Sequence, residues 1–207
     1  MKKLIATAAI AALVSGCAYS PTTFPDHKVG PNIRFEATKA GKAGVGSGVY
    51  IGNGVIITAA HVLDGAENLV IKSEAGDVQA GRILWMNTDY DIAAVAPNNP
   101  DRFRVAHLAC REPSVGENIS ATGNPFGLDF ITMRGYVSGE SRRFDGNWEH
   151  AFPTDLTTIG GMSGGATYDE YGDVIGVTVG TFSLNGPAGG LGVIVPGSIV
   201  CKLLGRA

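Results

Sequence analysis

The sequence predicts an all-β protein built from two barrel-sized halves and finished by a short C-terminal helix. Three observations point there. Thirty glycines in 207 residues, with 44% hydrophobic and 17% charged residues, suit a packed fold of short segments and turns. Runs of β-branched and aromatic residues recur at short intervals over most of the chain. Pro97–Asp101 (Pro-Asn-Asn-Pro-Asp) punctuates the middle, with a strand series on either side of it.

The first series has strand-like runs at Ile33–Ala37, Gly48–Ile51, Val55–Thr58, Leu69–Lys72, Val78–Met86 and Ile92–Ala96. Asn53-Gly54 signals a tight hairpin between two of them, because both residues tolerate positive φ. Six short strands fit a small barrel. The second series is Val105–Ala109, Asn118–Thr122, Phe130–Gly139, His150–Thr154, Ala166–Tyr168, Val174–Phe182 and Leu191–Val195, which suggests another barrel of similar size. After Pro196, apolar residues Ile199, Val200, Leu203 and Leu204 follow helical spacing. The expected division is a signal peptide at 1–16, a tether at 17–32, an N-terminal barrel at 33–100, and a C-terminal barrel with its helix at 101–207.

At the start, Met1-Lys2-Lys3 carries positive charge, and the apolar run Leu4–Val14 is too short to span a bilayer comfortably. It suits the core of a signal peptide. Val14-Ser15-Gly16-Cys17 resembles a bacterial lipobox, which implies cleavage before Cys17 and a lipid on its sulfur. The plain alternative is an ordinary signal peptide with Cys17 incidental. Ala18 in place of an aspartate points, by the same resemblance, to the outer membrane of a Gram-negative cell envelope, on its periplasmic side. Pro, Thr, Ser and Tyr without period then read as a tether. Net charge is -3 and no basic block occurs, which speaks against a nucleic-acid partner. The two other cysteines, Cys110 and Cys201, suggest a disulfide in an oxidising compartment, with two free thiols as the alternative. Without CxxC spacing or a Cys/His cluster, no metal or cofactor is expected.

The chemistry centres on Gly160-Gly161-Met162-Ser163-Gly164-Gly165. Such a turn exposes a hydroxyl and leaves nearby backbone N–H groups free to face an oxyanion. A nucleophilic serine needs a base and an acid. Of the four histidines, His61 ends the run Val55–Val62 after small residues, which sets its imidazole at a barrel rim. His27 falls in the tether, and His107 and His150 have no comparable setting. Asp91 opens Asp91-Ile92-Ala93-Ala94-Val95, where a carboxylate needs a hydrogen-bonding partner such as a histidine N–H. Asp89 is its rival: periodicity alone does not separate them, and adjacency to the strand favours Asp91. Gly161-x-Ser163-x-Gly165 also matches a nucleophile elbow, but no histidine follows the serine. The order His, Asp, Ser is that of chymotrypsin.

These segments, with Thr154-Asp155 and Gly123-Asn124-Pro125-Phe126-Gly127, resemble a trypsin-like serine peptidase, in particular the bacterial HtrA/DegP group. The resemblance runs from residue 46 to about 195 and implies two six-stranded antiparallel barrels with the site between them. It implies an endopeptidase with Ser163 as nucleophile, His61 as base, Asp91 as its orienting acid, and the N–H groups of Gly161 and Ser163 as oxyanion hole. Protein or peptide substrates follow, with Thr157 at the base of the pocket for the residue before the cut and Val179, Gly180 and Thr181 along its wall. No acid there disfavours Lys and Arg, leaving a small or medium apolar side chain. In digestive relatives the places of Cys110 and Cys201 are bridged, which implies that pair here. Met162 departs from the Asn of HtrA proteins, and the chain ends without room for their PDZ domain. The competing expectation is a catalytically silent protease fold retained for binding at the cell envelope; an esterase would differ only in substrate.

Overall fold

The computed structural model describes residues 30–144, 148–183 and 190–206. The expected signal peptide, the lipidation site Cys17 and nearly all of the expected tether lie outside the described residues. The first half contains β1 (Asn32–Lys39), β2 (Lys42–Tyr50), β3 (Ile56–Ala59), the single helical turn α1 (Ala60–Leu63), β4 (Asn68–Ser73), β5 (Val78–Asn87) and β6 (Ile92–Pro97). Its strands close into an antiparallel barrel in the order β1-β2-β3-β6-β5-β4. Asn53 and Gly54 both take positive φ, 53° and 72°, in the turn between β2 and β3.

The second half contains β7 (Asn118–Gly123), β8 (Ile131–Tyr136), β9 (Arg142–Phe144), β10 (Trp148–Thr154), β11 (Ala166–Tyr168), β12 (Val174–Phe182), β13 (Leu191–Pro196) and α2 (Gly197–Leu203). They form a seven-stranded sheet, β8-β7-β11-β12-β13-β10-β9, where a six-stranded barrel is expected. The additional strand is β9, a hairpin partner of β10. An isolated bridge between Val137 and Thr154 brings the two sides of the sheet together, supported by Ser138 N–H to Pro153 O at 2.8 Å. Val105–Ala109 does not become a strand. It is an extended connector that touches the sheet through the parallel bridge Leu108–Val174.

Period-two alternation explains why so many strands are buried on both faces. In β6, Ala93 and Val95 point into the first barrel with Phe35 and Ile56, while Ile92 and Ala94 point outward into a second core. That second core is the seam: Val49, Ile57 and Ala59 of the barrel pack there with Val177, Val179 and Val193 of the sheet. A third cluster, with Phe152, Met162 and Ile175, fills the second half. A disulfide joins Cys110 of the connector to Cys201 of α2, with Cα atoms 5.5 Å apart.

Beside it, Arg111 pins the connector to the sheet. Its guanidinium bonds Glu117 (Nη1 to Oε2, 3.0 Å) and Asp169 (Nη2 to Oδ2, 2.9 Å). The Arg111 hydrogen bond holds the Glu117 carboxyl below its ordinary range. At Asp169 burial pushes upward, but the Asp173 N–H, Arg111 and the Tyr171 N–H outweigh it and the carboxyl is again lowered. Depressed carboxyls stabilise the fold above their unfolded pKa, and that contribution disappears as pH falls through the folded value. Thermal unfolding should therefore show Arg111→Met losing roughly 1–2 kcal/mol at pH 7. The gap to the parent protein should narrow below about pH 4, where the unfolded carboxyls titrate. A gap that stays constant down to pH 3 would contradict the network's role.

Candidate active site

β3 ends at Ala59, and the chain makes one turn of helix through Ala60 and His61. The first N–H groups of a helix have no partner within it. Here Asp91 supplies both: its backbone O accepts from Ala60 N–H at 3.0 Å and its Oδ1 from His61 N–H at 2.9 Å. Asp91 Oδ2 then meets His61 Nδ1 at 2.7 Å. Asp91 itself has a left-handed backbone, φ 55°, which aspartate tolerates better than most residues. A third donor, Trp148 Nε1, reaches Asp91 Oδ2 at 3.2 Å. Asp91 is 8% exposed while the His61 side chain is 50% exposed, so a buried acid orients a ring that remains reachable. Asp89 is exposed, and its backbone O accepts from Glu149 N–H.

The serine loop lies at the start of β11 and is clamped from several sides. Gly164 N–H donates to Thr178 O at 2.7 Å, and Thr178 N–H donates to Gly165 O at 2.9 Å. Ser47 of β2 donates through its N–H to Ser163 O (2.8 Å) and through its hydroxyl to Gly161 O (2.7 Å). That hydroxyl also accepts from Asn124 N–H (3.0 Å) and Nδ2 (2.8 Å), which fills the capacity of a serine oxygen. Gly161 and Gly164 have φ of +101° and +86°. A Cβ on Gly161 would lie 2.2 Å from Asn124 O, and one on Gly164 would lie 2.1 Å from Ser47 O. Only glycine fits at either position. Met162, expected to stand beside the serine as a departure from relatives, is fully buried in the third core and anchors the loop from beneath.

Phe126 N–H donates to Gly160 O at 3.1 Å. Across a trans peptide the carbonyl and the following N–H point in opposite directions, so Gly161 N–H faces away from the Asn124–Gly127 segment. Met162, Gly164 and Gly165 N–H groups all have protein acceptors, whereas those of Gly161 and Ser163 have none among the described residues. Ser163 and His61 line one cavity of about 260 Å³. With Nδ1 held by Asp91, Nε2 is the ring atom left to exchange a proton with a hydroxyl there. An Asp91-bound imidazole and a serine flanked by two N–H groups without acceptors among the described residues thus line one cavity.

The profile of the trypsin-like peptidase domain matches residues 46–177, more than half of the chain. The chain belongs to the trypsin-like peptidase family. The periplasmic serine endoprotease DegP of Salmonella typhimurium is 31% identical over 164 residues, covering 77% of this chain and 34% of DegP. The chloroplastic protease Do-like 1 of Arabidopsis thaliana is 30% identical over 174 residues, covering 78% of this chain and 39% of its own length. The chain thus spans little more than a third of these curated relatives. Among solved structures, the HtrA-type protease AlgW with a tripeptide aligns with TM-score 0.75 at 24% identity, over 84% of this chain and 59% of AlgW. The active form of the Rv3671c protease from M. tuberculosis aligns with TM-score 0.76 at 18% identity, over 85% and 80%. Those two likenesses concern the fold.

In this peptidase domain, Val179, Gly180 and Thr181 line the cavity that Ser163 also lines. Thr157 is exposed and does not line it; Thr158, one residue on, does. Thr158 Oγ1 donates to Gly180 O at 3.0 Å and meets Thr181 Oγ1 at 2.5 Å, tying two walls together. The sequence carries little signal for Ser47, Asn124 and Trp148. Asn124 stands in the Gly-Asn-Pro-Phe-Gly stretch, and Ser47 between two glycines, but neither pattern names a partner. Ser47→Ala should destabilise the protein by about 1–3 kcal/mol, because buried Asn124 donors lose an acceptor. It should also lower turnover by loosening the Gly161 peptide. Denaturant unfolding and kcat measured side by side check this, and a variant as stable and as active as the parent would refute the clamp.

Proposed function

We propose that this chain is a serine endopeptidase acting through an acyl-enzyme. Ser163 Oγ attacks the carbonyl carbon of the bond to be cut while its proton passes to His61 Nε2. The resulting oxyanion is received by the N–H groups of Gly161 and Ser163. Collapse of the tetrahedral intermediate breaks the C–N bond, and His61 returns the proton to the departing amine. Water then attacks the ester with His61 again as base, releasing the acid and restoring the serine. Asp91 holds Nδ1 protonated and stabilises the imidazolium that forms in each half. The observation that carries this reading is a pair of N–H groups, without acceptors among the described residues, beside a serine that shares its cavity with an Asp91-bound imidazole.

Substrates are protein or peptide chains. Among the described residues the side of β12 that faces β11 has no strand partner beyond Thr178, an edge on which an extended segment can be received. Among the described residues no carboxylate lines the Ser163 cavity, and Thr158 and Thr181 meet in its wall, which favours a small or medium apolar residue before the cut. Ser163→Ala should lower kcat by about 10⁶-fold with an unchanged thermal midpoint. The parent, but not the variant, should react with a fluorophosphonate probe. Undiminished turnover in the variant, or a peptide-library profile led by Lys or Arg, would overturn the assignment or its specificity respectively.

We further propose that the protein is held in the bacterial cell envelope by a lipid on Cys17. The lipobox-like Val14–Cys17 supports this, as does the periplasmic description of its DegP relative. Among the described residues no helix is long and apolar enough to cross a membrane. Cys17→Ser should move the protein from the membrane to the soluble fraction after cell lysis. Retention in the membrane fraction would rule the lipid anchor out.

A further inference from the structure

β1 begins at Asn32, so the amino-terminal segment joins the domain at this point. Asn32 Nδ2 donates to Glu74 Oε1 at 2.9 Å, and its Oδ1 accepts from the Tyr168 hydroxyl at 2.6 Å. From there β1 runs towards the cleft, where Lys39, its last residue, donates through Nζ to His61 O at 2.7 Å. β7 and β12 lead the same way. β7 ends at Gly123 beside Asn124, and β12 passes from Val174 to Val179 and Gly180 in the wall of the Ser163 cavity. The chain therefore enters at the end of the domain opposite the catalytic cleft.

That entry end carries Val78, Val105, Val115, Tyr136 and Tyr171, all 55–84% exposed. Val78 opens β5 opposite Lys72, next to the Ser73 that pairs with Ile33. Val105 precedes Ala106, whose N–H donates to Tyr50 O, while Tyr50 N–H donates to Pro31 O. Tyr171 stands in the turn between β11 and β12, Val115 just before β7, and Tyr136 opposite Asn118 where β8 ends.

Beside the two tyrosines lies a cavity of about 270 Å³. Its floor is a row of side chains across three strands, Tyr168, Ser120 and Arg134, with Asn118 at one side and Glu170 at the other rim. Neither Arg134 nor Glu170 has an ion-pair partner among the described residues. The cavity thus holds a cation and an anion that do not neutralise each other, with a hydroxyl and an amide between them. Its complement is a small group of both charges: a phosphate for Arg134, Ser120 and Asn118, and a primary ammonium for Glu170. A phosphoethanolamine headgroup has that composition. Tyrosines beside it suit the level of the headgroups, where a ring meets apolar chains and its hydroxyl meets water.

We propose that the entry end is a membrane-docking face, with the Arg134–Glu170 cavity as its site for a phosphoethanolamine lipid headgroup. The proposal rests on the Cys17 anchor. From Cys17 to Gly30 the chain reaches at most about 45 Å, and a domain of this size is itself about 40 Å across. The entry end therefore meets the bilayer far more readily than the cleft does. Contacts too weak to capture a free protein suffice once the chain is tethered, because the tether raises the local concentration of the surface. When docked, the protein turns the Ser163 cavity away from the lipid and leaves it open to chains in solution.

The test uses the lipidated protein in vesicles, with a fluorophore on Val115→Cys and, for reference, on Lys42→Cys at the cleft side. Cys110 and Cys201 are bridged and do not take the label. In vesicles of phosphatidylethanolamine and phosphatidylglycerol, acrylamide should quench the label at 115 several-fold less than the label at 42. Replacing phosphatidylethanolamine by phosphatidylcholine should shrink that difference, because a quaternary ammonium offers Glu170 no hydrogen bond. Arg134→Glu and Tyr171→Ser should each expose the label at 115, while the protein still floats with the vesicles and cuts short peptides at the parent rate. Thermal midpoints verify that both variants are folded. Equal quenching at the two positions, or protection unchanged in both variants, would overturn the docking face. Protection equal in the two lipids would overturn the headgroup site. A parent protein that does not float with vesicles would overturn the Cys17 anchor and the docking face together.

Discussion

The serine loop is attached to its own sheet at Thr178, yet its geometry depends on a hydroxyl from the other half. Ser47 Oγ donates to Gly161 O and accepts twice from Asn124, with its own carbonyl taken by Thr58 Oγ1 at 2.6 Å. All three residues are buried: Ser47 at 1%, Thr58 and Asn124 at 0% exposure. In such surroundings an unpaired polar atom is costly, and a fully paired network admits few alternative arrangements. The joint therefore does more than hold two halves together. It fixes the Gly161–Met162 peptide, next along the chain to the peptide that carries the Gly161 N–H.

A second joint closes the other side of the cleft. Asp91 could orient His61 from within the first barrel alone, since it receives both the ring and the backbone N–H of that residue. Such a pair would still be free to shift as a unit relative to the serine. Trp148 ties the acid to the second half, because the strand it begins belongs to the sheet in which the serine loop is anchored. Between the two joints the seam is apolar and tightly packed, with Val49, Ile57 and Ala94 facing Val177 and Val193. Apolar packing supplies the adhesion, and the polar joints select one register.

Much of this was legible in the chain and some was not, for physical reasons. Period-two runs and turn residues identify strands well, so the hairpin at Asn53-Gly54 and the buried alternation of β6 are readable. The run Val105–Ala109 has the composition of a strand but makes only one bridge, between Leu108 and Val174 at the first residue of β12. β9 is the converse: Arg142 and Arg143 carry no apolar alternation, and pairing with β10 alone makes it a strand. His61, Asp91 and Ser163 stand out as candidates in the sequence because each sits in a local setting that singles it out. Ser47, Asn124 and Trp148 act through contacts made across 57 to 114 positions, and no local pattern encodes a partner that distant. The shift from Thr157 to Thr158 in the cavity has the same origin: pocket walls depend on the pitch of a loop, which spacing leaves undetermined.

Met162 shows how the loop reconciles exposure with order. A nucleophile must be reachable, and an exposed glycine-rich turn loses much conformational freedom when it is fixed. The loop meets this by alternating its attachments. Met162 is driven into the third core with Phe152, Leu156 and Ile175, while the residues on either side are held by backbone bonds to Ser47 and Thr178. Ser163 is then carried between an apolar anchor and a hydrogen-bonded glycine, partly exposed but with its carbonyl fixed. An acid or amide in place of Met162 would have to find polar partners in that core or turn outward, and either would alter the turn. The buried methionine thus belongs to the way this chain exposes its serine, with no charged neighbour needed to hold the loop in shape.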